Sequence, residues 1–368
     1  MKPSPSPSPP GTRTEWREAR LSPRAAIPPP VSRPLRNGRG APPVSSVVRP
    51  PYIKVPPSRY WNWMERHVLI TGANRGIGLA VARRVLSEHE GTHVILGSRE
   101  PSRGQDAIHS LLSEGHSSWG ERLSLLVLDT SSDDSVASAA SQLRAKLSAS
   151  GVSLYAIVNN AGIAAGTVSQ VLNVNVRGPQ RVDAAFLPLL DQERGRIVQM
   201  SSGAAPGCVA ASSPERQLFF MDKSIKWEQI EALMKEVEAY PHGAKDLEAH
   251  GFGAGASVYG LSKALLNTYT QMLAQQYPHL KINSCSPGLI ATDLVSSFVP
   301  WYVPLPSASI RFLATRLLSA KTPHEGASST MHLLFNGLEG NGRYYGSDGL
   351  RSPMDKYRSP GTPAYDGP

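Results

Sequence analysis

From residue 65 onward, short apolar runs alternate with longer stretches in which apolar residues recur every three or four positions. Five of the runs have the length and composition of buried β-strands. These runs are His67–Thr71, His93–Leu96, Leu123–Leu128, Leu154–Val158 and Arg196–Met200. Strands separated by helices of this length need right-handed crossovers, so the pattern predicts an α/β domain with a parallel, doubly wound sheet.

A glycine-rich turn follows the first strand and opens a helix, with glycines spaced GxxxGxG. Glycines there let the backbone approach a pyrophosphate closely, and the helix N-terminus supplies free N–H donors. A plain tight turn is the alternative. The predicted cofactor-binding residues of this turn are Gly72, Asn74, Arg75, Gly76, Ile77 and Gly78.

Arginines occur where a dinucleotide would carry its ribose 2′-substituent. Arg99 follows the second strand, at a position where an acidic residue favours a 2′-hydroxyl and an arginine favours a 2′-phosphate. Arg75 lies in the glycine turn, and two guanidiniums on one phosphate would select NADP(H) over NAD(H). Glu100 could pair with Arg99 instead, which would leave a surface ion pair.

Short polar residues follow the third and fourth strands. Because the carboxyl ends of parallel strands line the ligand crevice, we expect Asp129 to contact the adenine and Asn160 the neighbouring ribose. Ala161 and Gly162 follow Asn160 and are predicted to contact the cofactor with it. Asx residues are also ordinary turn formers, so a role of Asp129 in a turn is equally open.

Two further motifs carry polar side chains in apolar surroundings. Asn175 lies within an apolar pattern, where it is either satisfied by backbone groups or carries an active-site water. The fifth strand ends at Ser201 and Ser202. A serine at this position can hydrogen-bond a substrate carbonyl or cap a turn.

Tyr259 and Lys263 are four residues apart, which places both side chains on one face of a helix. An ammonium beside a phenol lowers the phenol's pKa from about 10 and makes it a usable general acid. The alternative is a buried ring beside a solvated amine.

These motifs stand in one fixed order between residues 71 and 263: Thr-Gly-x-x-x-Gly-x-Gly, Asn-Asn-Ala-Gly, the Asn175 motif, the serine pair and Tyr-x-x-x-Lys. In this order they resemble the short-chain dehydrogenase/reductase family over residues 65–346. The segment Ser286–Asp293 is similar to the part that covers the nicotinamide in that family. The resemblance implies one domain with a Rossmann-type doubly wound parallel sheet.

The resemblance also implies a catalytic tetrad of Ser202, Tyr259, Lys263 and Asn175, and hydride transfer from NADPH to a carbonyl. Ser202 would polarise the carbonyl oxygen and Tyr259 would protonate it. Lys263 would lower the tyrosine pKa and hold the nicotinamide ribose, and Asn175 would hold a proton-relaying water. Cofactor contacts beyond Tyr259 and Lys263 are implied at Pro287, Gly288 and Thr292.

An insert, residues 203–256, makes the distance between the serine pair and Tyr259 longer than is usual in the family. Its apolar residues recur at spacings of three or four, which predicts an amphipathic helix packed on the body. These residues are Trp227, Ile230, Leu233, Met234, Val237 and Tyr240.

The insert and the motif Arg99-x-x-x-Arg103-Gly104-Gln105 resemble the monomeric NADPH-dependent carbonyl reductases. That subgroup implies a monomer that reduces a ketone or aldehyde to an alcohol. The chain from Asn160 to Asn175 is shorter than in the subgroup, so the identity of the substrate does not carry over. We expect apolar residues of the insert and of 294–305 to line the substrate site. The alternative is a catalytically idle NADP(H)-binding sensor or scaffold on the same fold.

The first 64 residues differ in composition from the rest, being rich in Pro, Ser and Arg, with 11 Lys and Arg against 2 Asp and Glu. Because the whole chain has a formal charge of +9, residues 65–368 sum to zero, which argues against a nucleic-acid-binding body. We expect residues 1–64 to be disordered, since they cannot bury enough apolar surface to fold. An organelle transit peptide and a translation start at Met64 remain open interpretations.

The remaining predictions concern the C-terminus and the compartment. Residues 347–368 are expected to form an irregular tail. No apolar run is long enough to cross a membrane, and Cys208 and Cys285 are too few for a disulfide framework or a metal cluster. The family resemblance implies a small-molecule carbonyl compound as the partner. We expect neither nucleic acid nor a membrane as a partner, and a cytoplasmic location unless the extension targets an organelle.

Overall fold

The structure of the protein is a computed structural model that describes residues 65–114, 117–292, 309, 320–338 and 340–367. We expect the extension 1–64 to be disordered, and it lies outside the described residues. The segment 294–305, which we expect to line the substrate site, lies outside them as well.

One sheet runs through the described residues. Its strands are β1 Arg66–Ile70, β2 Thr92–Ser98, β3 Leu123–Val127, β4 Ala156–Asn159, β5 Arg196–Met200, β6 Lys281–Cys285, β7 Tyr344–Tyr345 and β8 Arg351–Ser352. Their order is β3-β2-β1-β4-β5-β6-β7-β8, and all neighbours are parallel except β7 and β8. Because the order reverses between β1 and β4, the predicted Rossmann-type doubly wound sheet is confirmed.

Helices cover both faces of this sheet. In chain order they are α1 Gly76–Glu88, α2 Pro101–Leu112, α3 Asp133–Ser150, α4 Val168–Leu172, α5 Gly178–Phe186, α6 Ala204–Ala211, α7 Pro214–Met221, α8 Trp227–Glu238, α9 Val258–Gln276, α10 Pro323–Gly326 and α11 Ser328–Phe335. The side chains of Thr167 and Gln170 form a capping box that starts α4. Helix α3 starts at its N-cap Ser132 and ends at Gly151, whose φ of 66° turns the chain out of the helix.

Strand β1 shows why the strands are nearly continuous apolar runs. Val68 and Ile70 belong to the core that α1, α2 and α11 cover, whereas Leu69 belongs to the core on the opposite face. Successive side chains of a strand point to opposite faces, so a strand covered on both sides has few polar positions. The two cores share the sheet, and the body of the chain forms the single domain that the sequence predicts.

The insert contains α6, α7 and α8, and α8 is the helix predicted from its apolar spacing. The apolar side chains on one face of α8 are buried in the core: Ile230, Leu233, Met234 and Val237. The half-buried Trp227 meets the ring of Tyr269 on α9 edge-on, with 5.7 Å between ring centroids. The insert therefore packs beside the helix that carries Tyr259 and Lys263.

Strand β8 corrects the prediction that residues 347–368 form an irregular tail. Arg351 and Ser352 pair antiparallel with Tyr345 and Tyr344. A two-residue strand has no periodicity that a sequence pattern could show. From residue 353 to 367 the backbone forms turns and irregular structure.

The described part of the chain contains no helix that is long and apolar enough to cross a membrane. Within the same residues, no group of three or more His, Cys, Asp and Glu side chains could hold a metal ion. Cys208 and Cys285 are both buried free thiols.

Candidate active site

A cleft of about 620 Å³, here called the first cleft, opens at the carboxyl ends of the strands around β1. Most of the predicted cofactor-binding residues line it: Gly72, Asn74, Arg75, Gly76, Ile77, Arg99, Asp129, Asn160, Ala161, Gly162 and Thr292. The structure thus brings together residues that are separated by more than two hundred positions in the sequence.

The glycine turn after β1 has the backbone geometry that a phosphate-binding turn needs. Gly72 and Gly76 have φ angles of 61° and 58°, which favour glycine. A Cβ on Gly78 would lie 2.5 Å from Nδ2 of Asn160, so Gly78 serves close packing and does not line the first cleft. Helix α1 starts at Gly76 without a side-chain cap on its N–H groups and without an acidic residue in its first turn. Its N-terminus therefore suits a pyrophosphate, through free N–H donors and the positive end of the helix dipole.

Asn160 and Asp129 both have structural hydrogen bonds where they line the cleft. Asn160 Nδ2 donates to the backbone oxygens of Thr71, at 2.9 Å, and Gly72, at 3.1 Å, and so ties β4 to the glycine turn. Asp129 Oδ1 accepts from the backbone N–H of Ser131 at 2.9 Å and from its hydroxyl at 2.6 Å. The turn-forming role of Asp129 is therefore present, and its side chain also lies at the cleft.

Three arginines line the first cleft together with two acidic residues. Glu100 contacts Arg99 Nε at 3.5 Å and Arg103 Nε at 2.8 Å, so the predicted alternative of a surface ion pair is observed. Arg75 lines the same cleft. Three guanidiniums against the carboxylates of Glu100 and Asp129 leave the wall of the first cleft with an excess of one positive charge, which suits a phosphate monoester.

A second cleft of about 300 Å³ adjoins the first, because Ile77 and Thr292 line both. The predicted residues Ser202, Tyr259, Pro287 and Gly288 line this second cleft. Asn175 and Lys263 line neither cleft.

Tyr259 lies in the first turn of α9, which starts at its N-cap Ser257. Its hydroxyl shares a hydrogen bond with that of Ser202. Ser201 is buried, and its Oγ donates to the backbone oxygen of Lys263 at 3.4 Å. The second serine of the pair is therefore the one that meets the tyrosine.

The pKa of Tyr259 differs from the prediction. Desolvation raises it above its ordinary value, and the hydrogen bond with Ser202 only partly opposes that rise. Lys263 Nζ lies 5.8 Å from the centroid of the Tyr259 ring, and burial lowers the pKa of Lys263 to about 8. The expected net lowering of the tyrosine pKa by Lys263 is wrong for this structure, because desolvation dominates both groups.

Lys263 and Asn175 meet behind Gly162 of the first cleft. A Cβ on Gly162 would lie 3.2 Å from Oδ1 of Asn175 and 3.5 Å from Nζ of Lys263. Lys263 Nζ donates to the backbone oxygen of Met200 at 2.8 Å, which fixes the side chain beneath the end of β5. The absence of a side chain at Gly162 keeps the ammonium close to the surface of the cleft.

Asn175 lies in a π-helical turn, Asn173–Arg177, between α4 and α5. Its Nδ2 donates to the backbone oxygen of Ile163 at 2.8 Å and to Ser262 Oγ at 3.0 Å, while its Oδ1 accepts from the Ile163 N–H at 2.9 Å. Of the two alternatives left open, satisfaction by backbone groups is observed. The water-carrying role stays a prediction.

The C-terminus contributes residues to the second cleft that the sequence does not predict. Tyr344 of β7 and Tyr357, Arg358 and Pro360 of the tail all line it. No sequence signal marks these residues, since they follow the last motif and show no periodicity. Arg103, which the sequence marks only through the motif Arg99-x-x-x-Arg103-Gly104-Gln105, also lines the first cleft.

Comparisons with known proteins decide the family. A family model described as short chain dehydrogenase matches residues 66–214. Carbonyl reductase [NADPH] 1 of Homo sapiens is 31% identical over 281 residues, which cover 72% of this chain and 89% of that protein. The chain belongs to the short-chain dehydrogenase family.

Two further similarities agree with this assignment. Short-chain dehydrogenase/reductase 1 of Saponaria officinalis is 30% identical over 261 residues, covering 62% of this chain and 83% of that protein. The solved structure of salutaridine reductase from Papaver somniferum matches with a TM-score of 0.61 at 22% identity, covering 76% of this chain and 99% of that one, and supports the fold. The predicted relationship to the short-chain dehydrogenases, close to the carbonyl reductases, is confirmed. The protein is thus an oxidoreductase of a family that binds NAD(P).

Proposed function

We propose that this short-chain dehydrogenase reduces a ketone or aldehyde carbonyl to an alcohol with NADPH as the hydride donor. The observation that carries the proposal is the hydrogen-bonded pair of Ser202 and Tyr259 on the wall of the second cleft. Ile77 and Thr292 join that cleft to the glycine-lined first cleft, so a substrate and a cofactor can meet there.

The preference for NADPH is supported by the charge on the wall of the first cleft. Arg75, Arg99 and Arg103 line it, and Glu100 and Asp129 offset only part of their charge. A 2′-phosphate would gain charge-assisted hydrogen bonds that a 2′-hydroxyl could not make. The printed name of the human relative, carbonyl reductase [NADPH] 1, agrees with this cofactor.

When bound, NADPH would supply the hydride. Ser202 donates a hydrogen bond to the carbonyl oxygen, and Tyr259 donates the proton that completes the alcohol. The raised pKa of Tyr259 keeps its phenol protonated at neutral pH, which is the form that reduction needs. Lys263, fixed behind Gly162, would hold the nicotinamide ribose and return a proton to the tyrosine.

The proposed assembly state is a monomer, and the packing of the insert supports it. Helix α8 buries its apolar face against the body beside α9. Arg177 of the π-helical turn pairs with Glu231 at 2.9 Å and with Glu238 at 2.7 Å, which ties α8 to the body. This surface of the catalytic helix is therefore covered by the chain itself. The cytoplasmic location stays a prediction from composition.

The test is a panel of uncharged aldehydes and ketones, each offered with NADPH and with NADH while the absorbance of the reduced nicotinamide is followed. The proposal predicts turnover with part of the panel and a higher kcat/KM for NADPH. Tight NADPH binding without turnover of any carbonyl would overturn it in favour of the sensor alternative.

A further inference from the structure

The C-terminal segment turns back from β8 to the second cleft. Tyr357, Arg358 and Pro360 line that cleft together with Ser202 and Tyr259. A Cβ on Gly203 would lie 2.9 Å from Cε2 of Tyr357, so the Tyr357 ring lies directly against the backbone of the residue that follows Ser202. The ring is thus one residue away from the proposed carbonyl-binding hydroxyl.

A set of hydrogen bonds around Arg358, here called the C-terminal clasp, holds this segment in place. Its guanidinium pairs with Asp348, donates to Ser352 Oγ at 2.8 Å and donates to the backbone oxygen of Thr362 at 2.7 Å. Asp348 Oδ2 in turn accepts from the N–H of Gly361 at 3.0 Å. The side chain of Arg358 is only 8% exposed, and the carboxylate of Asp348 balances its charge within the clasp.

The second cleft has both polar and apolar groups on its wall. The hydroxyls of Ser202 and Tyr259 line it, and so do Leu289 and Tyr357, which are 44% and 54% exposed. Among the described lining residues, Arg358 is the one charged side chain, and Asp348 neutralises it. An uncharged molecule with a polar carbonyl and an apolar body fits this lining.

We propose that Tyr357 is a specificity-determining residue, whose ring packs against the ring of an uncharged, ring-bearing ketone or aldehyde while the carbonyl meets Ser202 and Tyr259. This inference rests on the proposed function and names its substrate class. Aromatic rings prefer offset or edge-on contact with another ring, and such contacts add to the gain from burial alone. Tyr357 is already held against Gly203 in the protein without substrate. Little conformational entropy of this side chain is therefore lost when the substrate binds.

The experiment compares kcat/KM for an aryl methyl ketone with that for a short aliphatic methyl ketone, in the wild type, Tyr357→Ala and Tyr357→Phe. Tyr365→Ala is the matched control, since Tyr365 lies in the same segment but stacks on Arg351 and lines a different cleft. We expect Tyr357→Ala to lower the aryl-to-aliphatic ratio about tenfold. In Tyr357→Ala, the lower kcat/KM for the aryl ketone should come from a higher KM. Tyr357→Phe and Tyr365→Ala should keep the wild-type ratio.

The outcomes separate the two proposals. An active wild type whose ratio is unchanged in Tyr357→Ala overturns the substrate-class inference alone. A Tyr365→Ala enzyme that loses the ratio equally overturns it as well, because the effect would then belong to the segment and not to the ring. A wild type that reduces no carbonyl overturns the proposed function and this inference with it.

Discussion

Gly162 shows how a single residue can connect two buried groups to a cleft that neither of them lines. Lys263 and Asn175 lie directly behind it, within 3.5 Å and 3.2 Å of the position that a Cβ would occupy. Any side chain there would separate the Lys263 ammonium from the cleft surface. Because glycine has no Cβ, Gly162 leaves the two groups close to the cleft. This explains the glycine at the end of the Asn-Asn-Ala-Gly motif.

Arg99 allows a test of the cofactor preference at the residue scale. Arg99→Asp removes a guanidinium from the first cleft and adds a repelling carboxylate beside Glu100. The lost charge-assisted hydrogen bond should cost NADPH about 2 kcal/mol, or about thirtyfold in kcat/KM relative to NADH. Steady-state kinetics with both cofactors checks this, with Arg144→Asp on the exposed face of α3 as the control. An unchanged NADPH-to-NADH ratio in Arg99→Asp would show that Arg99 does not contact the phosphate.

Asp183 gives a prediction about pH. It is fully buried, and its carboxylate accepts from Asn159 Nδ2 at 2.7 Å and from Gln199 Nε2 at 2.6 Å. Burial raises the pKa of Asp183 to about 7 despite these hydrogen bonds. A carboxyl whose pKa rises on folding holds its proton more tightly in the native state, so its contribution to stability falls as pH rises from about 4 to about 7.

We therefore expect the Tm of the wild type to fall relative to that of Asp183→Asn as the pH rises from about 4 to about 7. Thermal unfolding followed by circular dichroism at several pH values measures the difference. A Tm difference that is independent of pH, or that changes in the opposite direction, would show that Asp183 does not titrate with a raised pKa.

At the scale of elements, the sequence predicts those strands and helices that leave a regular apolar pattern or a characteristic glycine spacing. All five predicted strands and helix α8 are present, because buried strands and amphipathic helices leave regular apolar patterns. Strand β4 shows the limit of this method: Leu154 forms an isolated bridge with Leu190, so the strand proper begins at Ala156. The hairpin of β7 and β8 and the clasp could not be predicted, because two-residue strands and hydrogen bonds between single residues leave no periodic pattern in the sequence.

The packing of helix α8 predicts that the protein is a monomer. Its apolar residues Ile230, Leu233, Met234 and Val237 are buried in the chain's own core, so this face of α8 is not available to a second copy. Light scattering of the purified protein should give a monomeric mass at micromolar concentration. A stable dimer would show that the insert does not prevent association, while the family assignment would stand.

At the scale of the whole molecule, the formal net charge and the described domain belong to different parts of the chain. The first 64 residues carry the entire formal charge of +9, whereas the described domain begins at residue 65. Among the residues that the structure describes, those that line the two clefts and form both cores follow residue 65.

A chain that begins at Met64 should therefore keep the Tm and the NADPH affinity of the full chain. Polar tails outside a core contribute little to its stability. Calorimetry and a cofactor titration of both proteins measure this. A large drop in Tm on truncation would mean that the extension packs on the domain.

The central claim is that Tyr259 is the proton donor in carbonyl reduction, and the kcat of Tyr259→Phe tests it most directly. Tyr155→Phe is the matched control, because Tyr155 is a buried tyrosine outside both clefts whose hydroxyl donates to the backbone oxygen of Leu334 at 2.6 Å. Tyr155→Phe should lose about 1 kcal/mol of stability and keep its rate. Tyr259→Phe should fold and bind NADPH while kcat falls by about 10²–10⁴-fold. A Tyr259→Phe enzyme that reduces carbonyls at a rate close to the wild type would contradict the claim.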